Sequence, residues 1–240
     1  MGKTKKEQLT IAWCDNGTVD SLFMDGVISV ILALPKLGIE LGSLQHLIGN
    51  QIAKQRQQLV QDWYKTEIDW LLWVDSDVAI TPEIVEKLWN TADKDTKPVV
   101  SGVYFISPNP NTPLMIPVPC IFKMDGKYNT PIHPMPENAV IKIDVAGLGL
   151  TLMHRSAITK IKDKYNGVYF DIGLGDDNRG EDVSFFLKLK EQGVPVYAHT
   201  GAIAGHIKRF VFDENYYAVW WNAVAPEIQK QNPNGLNIVV

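Results

Sequence analysis

Cysteine is scarce in this chain: Cys14 and Cys120 are the only two in 240 residues. Two scattered thiols build neither a disulfide framework nor a zinc knuckle, so both are expected free and reduced in a cytoplasmic protein. Long apolar runs are missing as well. No stretch approaches the roughly 18 apolar residues of a membrane span, and the opening MGKTKKEQLT lacks the apolar centre of a secretory signal. Charge of one sign is nowhere concentrated: 23 basic against 27 acidic residues leave −4, and without a basic stretch a nucleic-acid partner is not expected. A Walker loop, a His-Glu-x-x-His helix and a Gly-x-Ser-x-Gly elbow are all absent, so the enzyme classes built on them have no support. What remains, at 45% hydrophobic and 21% charged, is ordinary globular composition with enough length for one large domain.

The order of elements points to an α/β fold. Leu9–Cys14 reads as a first strand, closed by the turn Asp15-Asn16-Gly17-Thr18. Phe23–Leu34 suits a packed helix stopped at Pro35 and Gly38. A weaker strand near Leu44–Ile48 leads into a helix from about Asn50 to Thr66. Trp70-Leu71-Leu72-Trp73-Val74 is apolar throughout, as a strand buried on both faces would be. The next helix carries its own start: Thr81 at the N-cap, Pro82 at the first helical position, and Ile80 spaced from Val85 as a hydrophobic staple. Val99–Phe105 is another strand. Repeated β-α units of this kind predict a largely parallel sheet with helices on both faces.

Beyond that point the pattern changes. Eight of the fourteen prolines fall between Pro108 and Pro136, which excludes long helices and central strands there. Order resumes with a strand at Val140–Val145, a turn bearing Gly147 and Gly149, and a helix from Ser156 to about Tyr165. A helix from Glu181 to Gln192 stops at Gly193, and Val194–Ala198 is a short strand. The aromatics of the tail, Tyr216, Tyr217, Trp220 and Trp221, are expected in the core rather than as a platform for sugar.

Chemistry concentrates at Asp75-Ser76-Asp77. Two carboxylates just past a buried parallel strand sit where open α/β sheets place ligands. Hard oxygen donors suit Mn²⁺ or Mg²⁺ bridged to substrate phosphates; the plain alternative is a polar strand-to-helix turn. Glu181 and Asp182 open a helix, where acidic residues favour the macrodipole but could also take a proton from an acceptor hydroxyl. His206, two residues before Lys208, would supply one nitrogen ligand and one cation for the same diphosphate. Arg56 shares the apolar face of its helix with Ile52, Leu59, Val60 and Trp63. It either snorkels to water or turns its guanidinium inward to the carboxylates or a diphosphate.

This ordered set resembles the GT-A glycosyltransferases, and the likeness runs over most of the chain. It rests on the Cys14-Asp15-Asn16 turn, the Asp75–Asp77 triplet, the Gly147/Gly149 turn, the Glu181-Asp182 pair and the late His206. The small size and lack of anchors are similar to viral or bacterial members. The resemblance implies one GT-A domain over residues 1–240, with a nucleotide half at 1–105 and an acceptor half at 106–240. It implies transfer from a nucleotide-sugar to an unidentified acceptor hydroxyl, with Mn²⁺ or Mg²⁺ as cofactor. Asp77 and His206 would ligate the metal, and Asp75 would touch ribose or metal. Gly147 and Gly149 would line the donor sugar, unless they only form a tight turn. Asp15, Asn16, Arg56, Ser76 and Lys208 would complete the donor site, and Asp182 or Glu181 would be the catalytic carboxylate. Two other readings stand beside it. One is a haloacid-dehalogenase-like phosphatase using Asp75 and Asp77, in which Gly175-Asp176 and Glu181 imitate the later acidic cluster. The other is a non-catalytic carbohydrate-binding module on a degenerate transferase fold.

Overall fold

A computed structural model describes residues 7–107, 117–125, 128–172, 179–209, 211 and 213–231. The Gly175-Asp176 cluster and part of the proline-rich stretch lie outside these residues. The chain divides into two compact units, Met1–Phe105 with Pro119–Ile207, and Ile106–Val118 with Lys208–Val240.

The first unit is built on a seven-stranded sheet. Its N-terminal part follows the expected βαβ order: β1 (Gln8–Asp15), α1 (Ser21–Ala33), β2 (Glu40–Ile48), α2 (Ile52–Lys65) and β3 (Trp70–Val74). The short β4 (Val78–Ala79), α3 (Pro82–Thr91), β5 (Val99–Val103) and β6 (Phe105–Ile106) come next. Then follow β7 (Val118–Pro119), β8 (Ile121–Asp125), β9 (Tyr128–Pro131), β10 (Val140–Ile143), β11 (Val145–Ala146) and β12 (Leu150–His154). The unit closes with α4 (Arg155–Lys162), α5 (Glu181–Glu191), β13 (Val196–Ile203) and β14 (Gly205–His206).

Strand order in the sheet is β10-β13-β5-β12-β3-β1-β2. β1, β2 and β3 pair in parallel, as do β5 and β13, but β12 runs antiparallel between β3 and β5, and β10 runs antiparallel at the far edge. The sheet is therefore mixed: five of its seven strands run one way, as expected, but three of its six pairings are antiparallel, because β10 is reversed at the edge and β12 at the centre, where the sequence did not announce a strand. β12 is buried at all five positions, like β3 and β5. The expected strand at Val140–Val145 divides after Ile143: β10 joins this sheet, and β11 pairs with β8 in a separate three-stranded one.

Helices cover both faces. Leu59, Val60 and Trp63 of α2 share one apolar cluster with Ala157, Ile158 and Ile161 of α4 and Phe185, Phe186 and Leu189 of α5. α1 and α3 pack on one another elsewhere. α1 starts at Asp20, whose carboxylate accepts from the Leu22 N–H at 2.9 Å, and α5 stops at Gly193 with φ of +65°, a conformation glycine adopts without strain.

The second unit contains α6 (Glu214–Ala223) and α7 (Ala225–Gln231). Here the expectation for the tail aromatics fails. Tyr217 and Trp221 are 61% and 46% exposed, and their rings stack on each other at 6.0 Å. Aromatic content alone argued for a core, but α6 carries no buried residue.

Candidate functional site

The carboxyl ends of the parallel strands meet along one edge, where β1 delivers Asp15, β3 leads into Asp75 and β5 leads into Tyr104. β12 begins at this same edge because it runs the other way: Leu150 pairs with Val74, and the Asp75 N–H donates to the Gly149 carbonyl at 3.0 Å. The edge thus gathers residues far apart in sequence, at the place where open α/β sheets bind ligands.

Arg56 is the centre of the arrangement. Its helical face made it either a snorkelling or an inward residue, and it is inward, 4% exposed. Nη2 donates to both oxygens of Asp75 at 2.9 Å, and Nη1 donates to Glu181 Oε1 at 2.8 Å. The guanidinium lies 5.7 Å from the Trp73 ring centre, and the Trp73 indole N–H donates to Asp75 Oδ1 at 3.1 Å. Burial works against the charge, but Asp75 first, then Glu181 and Asp182, outweigh it and raise the Arg56 pKa. A guanidinium fork suits this task because it can hold two carboxylates at once.

Asp182 stands next to this pair without sharing it. Its Oδ1 accepts from the Val183 N–H at 2.8 Å. Burial lifts its pKa above the ordinary aspartate range; Arg56 lowers it, and Glu181 raises it further. Glu181 is tied to a cation, whereas Asp182 holds a carboxyl with heightened proton affinity, the property expected of a general base.

A second cluster forms around the triplet. β14 pairs antiparallel with β4, setting His206 opposite Val78, and the Ile207 N–H donates to the Asp77 carbonyl at 2.7 Å. This small clamp brings the late histidine to Asp77, with Nε2 3.3 Å from Oδ2. His206 Nδ1 lies 2.8 Å from the Phe105 carbonyl. A carbonyl only accepts, so Nδ1 carries a proton, and Nε2 is the ring nitrogen turned toward Asp77. One carboxylate and one imidazole nitrogen fit one side of a divalent ion's coordination, the rest falling to phosphate oxygens and water. Among the described residues no three His, Cys, Asp or Glu side chains form a complete metal cage.

Gly147 and Gly149 serve Tyr104. A Cβ on Gly147 would overlap the Tyr104 hydroxyl and Cys120 Sγ, and one on Gly149 would sit 2.9 Å from Asp75 Oδ2 and 3.0 Å from the Tyr104 hydroxyl. The Gly149 N–H donates to that hydroxyl at 3.2 Å, and the Tyr104 ring meets His206 edge-on at 4.9 Å. Tyr104 therefore links both clusters, and burial raises its pKa well above the usual phenol range. It was hidden inside a predicted strand; the only signal for it was its place at the carboxyl end of that strand. Gly147→Ala is expected to destabilise the protein by about 1–3 kcal/mol, as overpacking of a close contact does. Urea denaturation measures this, and an unchanged midpoint would show that Tyr104 moves aside freely.

Cys14 and Cys120 are both buried and free. Burial pushes their thiols up to about 12 and about 11, so neither is a nucleophile near neutral pH. At the end of β1, Asp15 Oδ2 accepts from the Trp13 indole N–H at 3.1 Å and lies 3.3 Å from His46 Nδ1. The His46 ring stacks on Trp13, and Gln55 Nε2 donates to the Asp15 carbonyl at 3.0 Å. Asn16 is exposed and accepts from Thr18 Oγ1. Ser76 occupies the turn between the two aspartates, partly exposed. Lys208 belongs to the second unit and is exposed. Trp73, His46 and Gln55 join Tyr104 as residues the sequence did not single out.

The sheet and its flanking helices are of the GT-A class expected from the sequence. Solved structures share this fold. One is A197 from STIV, 22% identical over 84% of this chain and 86% of that one, with a TM-score of 0.54. Another is GalNAc-T7, solved with UDP, GalNAc and Mn²⁺, 13% identical with a TM-score of 0.53; the match covers 95% of this chain and 51% of that one. This chain thus spans about half the length of GalNAc-T7. At these identities the likeness is one of fold. No protein-family model and no curated protein matches the sequence. No helix among the described residues is long and apolar enough to cross a membrane.

Proposed function

We propose that the protein transfers a sugar from a nucleotide-sugar donor to an acceptor hydroxyl, with a divalent ion as cofactor. The observation that carries this reading is the pairing of Asp77 with an Nε2-presenting His206 beside the partly buried carboxylates around the buried Arg56. GalNAc-T7, which shares the fold, was solved with UDP and Mn²⁺, and that ligand chemistry suits the donors gathered here.

In this reading Asp77 and His206 hold Mn²⁺ or Mg²⁺, which when bound offsets charge building on the departing diphosphate. Asp75 already accepts from Arg56 through both oxygens, so any contact it makes with ion or ribose uses the lone pairs that remain. Arg56 fixes Asp75 and Glu181 and sets the local charge. Asp182 takes the proton from the acceptor hydroxyl as the new glycosidic bond forms. Asp15 and Asn16 face the nucleoside end, Ser76 assists at the phosphates, and Gly147 and Gly149 keep the sugar end open by seating Tyr104. Residues up to 105 carry most of the donor contacts, and the later ones bring the acceptor. The phosphatase reading gains nothing from this geometry: a nucleophilic Asp75 would attack through oxygens already committed to Arg56.

The test is calorimetric titration of a nucleoside diphosphate with Mn²⁺ and with excess chelator. Binding is expected only with the metal, and at 100 times its dissociation constant the ligand should add about 2.7 kcal/mol of stability. Asp77→Ala and His206→Ala should each abolish the metal-dependent part while unfolding remains cooperative. Equal affinity in chelator would remove the metal from the scheme. Metal-dependent hydrolysis of the nucleotide-sugar separates an enzyme from a pure binding module.

A further inference from the structure

Residues 167–171 follow α4 and belong to no strand or helix, yet Tyr169 and Phe170 are 2% and 5% exposed. Backbone polar groups buried in this way need partners, and two side chains supply them. Gln57 of α2 donates through Nε2 to the Gly167 carbonyl at 2.6 Å. Its Oε1 accepts from the Tyr169 and Phe170 N–H groups at 2.8 and 3.2 Å. From the other side, Lys188 of α5 donates to the Val168 and Tyr169 carbonyls at 2.9 and 3.2 Å and lies 3.2 Å from Asp171 Oδ2. Lys188 is itself buried. An ammonium costs free energy to bury, so what it contributes here is the set of bonds it makes.

The clamped segment lies against the site. The Phe170 ring stacks on Phe185 of α5 at 4.9 Å and meets Trp73 at 6.4 Å. Trp73 in turn donates its indole N–H to Asp75 and lies beside the Arg56 guanidinium. Both anchors stand on the helices of the ion pair. Gln57 follows Arg56 on α2, and Lys188 is two turns along α5 from Glu181, on the same face. The two helices are therefore joined twice, directly by Arg56 and Glu181 and again through the clamped segment. We propose that Gln57 and Lys188 are positioning residues, which hold Phe170 between Trp73 and α5 and so fix the spacing at which Arg56 bridges Asp75 and Glu181.

A purely local duty, satisfying buried backbone and nothing more, differs from this in reach. Loss of a local clamp lowers stability without singling out Trp73. Loss of a positioning clamp is felt at Trp73 and Asp75, one ring beyond the residue replaced. Any effect on rate rests on the transfer reaction proposed above, whereas the effect on Trp73 does not.

Indole N–H exchange followed by nuclear magnetic resonance tests this, with the Trp73 and Trp70 signals assigned from Trp73→Phe and Trp70→Phe. Lys188→Met and Gln57→Leu should each speed exchange at Trp73 by about tenfold or more, as a local opening does. Trp70, at the other end of the same strand and bonded to Glu7, should keep its wild-type rate. In transfer assays kcat should fall about 10–100-fold, the scale of a small misplacement at a reacting centre. Lys188→Arg should restore both readouts, since a cavity of about 220 Å³ bounded by Tyr165, Asp171, Ser184 and Glu191 gives the longer side chain room. If Lys188→Met does not fold, Gln57→Leu, at a half-buried position, gives the same readout. Unchanged exchange at Trp73 would overturn the proposal whatever the rates, and so would equal acceleration at Trp73 and Trp70. Faster exchange at Trp73 with kcat at the wild-type value overturns it as well. A wild type without transfer activity would refute the proposed reaction instead, and the Trp73 signal would still decide the geometry.

Discussion

Asp182→Asn is expected to lose about 10²–10⁴-fold in transfer rate, or roughly 3–5 kcal/mol of barrier, and at the same time to gain stability. The amide keeps the shape of the side chain and cannot take a proton. Burial raises the Asp182 pKa above its unfolded value, so the folded chain holds that proton more tightly than the unfolded chain does. Stability then falls as pH rises from the ordinary aspartate range to the raised value, and at neutral pH the cost is fully present. The uncharged amide carries no such cost, so the melting temperature should rise at neutral pH and match wild type in acid. Donor affinity should hold, because Asp182 acts on the acceptor. In wild type the rate should fall on the acid side with an apparent pKa above that of a free aspartate. Glu181→Gln should be milder in rate, since Glu181 is committed to Arg56. If Glu181→Gln is the inactive variant and Asp182→Asn turns over, the two roles are exchanged.

Arg56→Met has the largest expected effect on stability, a loss of about 3–5 kcal/mol, typical of breaking a buried ion pair from one side. The apolar stem is preserved, so the loss would come from charge. Asp75 and Glu181 would stay partly buried and lose their shared donor, and Asp182 would lose the cation that most lowers its pKa. A snorkelling arginine would tolerate the change. Chemical denaturation separates the two, since a midpoint close to wild type would mean the pairs contribute nothing net. Combining Arg56→Met with Asp75→Asn should recover part of the loss, because one stranded charge disappears.

The N-terminal half of the fold was readable because its signals are local. β1, α1, α2, β3 and α3 each carry an apolar period, a cap or a proline that marks their type, and their order implied the parallel arrangement. β12 carried no such mark. Leu150-Thr151-Leu152-Met153-His154 is short and buried on both faces, so it lacks alternation, and the preceding glycines read as the end of a turn. Its place between β3 and β5 depends on pairing with distant strands, which no local pattern encodes. The site divides the same way. Residue types and spacing singled out Asp75, Asp77, Glu181, Asp182 and His206. The salt bridges through Arg56, the clamp between β4 and β14, and Tyr104 under the two glycines all depend on chain crossings that appear only once the sheet is assembled.

The reversed central strand also governs the order in which this sheet can close. β3 and β5 are made well before β12, yet each has β12 as a neighbour and neither pairs with the other. On a growing chain β3 therefore keeps an open edge and β5 has no partner in this sheet until residue 154 is available, since β13 is made later still, and open edges readily pair with other chains. Insertion of Leu150–His154 fills that gap, and in the same event carries Gly147 and Gly149 to Tyr104 and the Gly149 carbonyl to Asp75. Glu181, Asp182 and His206 all follow β12 in the chain, so a chain that still lacks this strand has neither a joined sheet nor an assembled site to bind a donor.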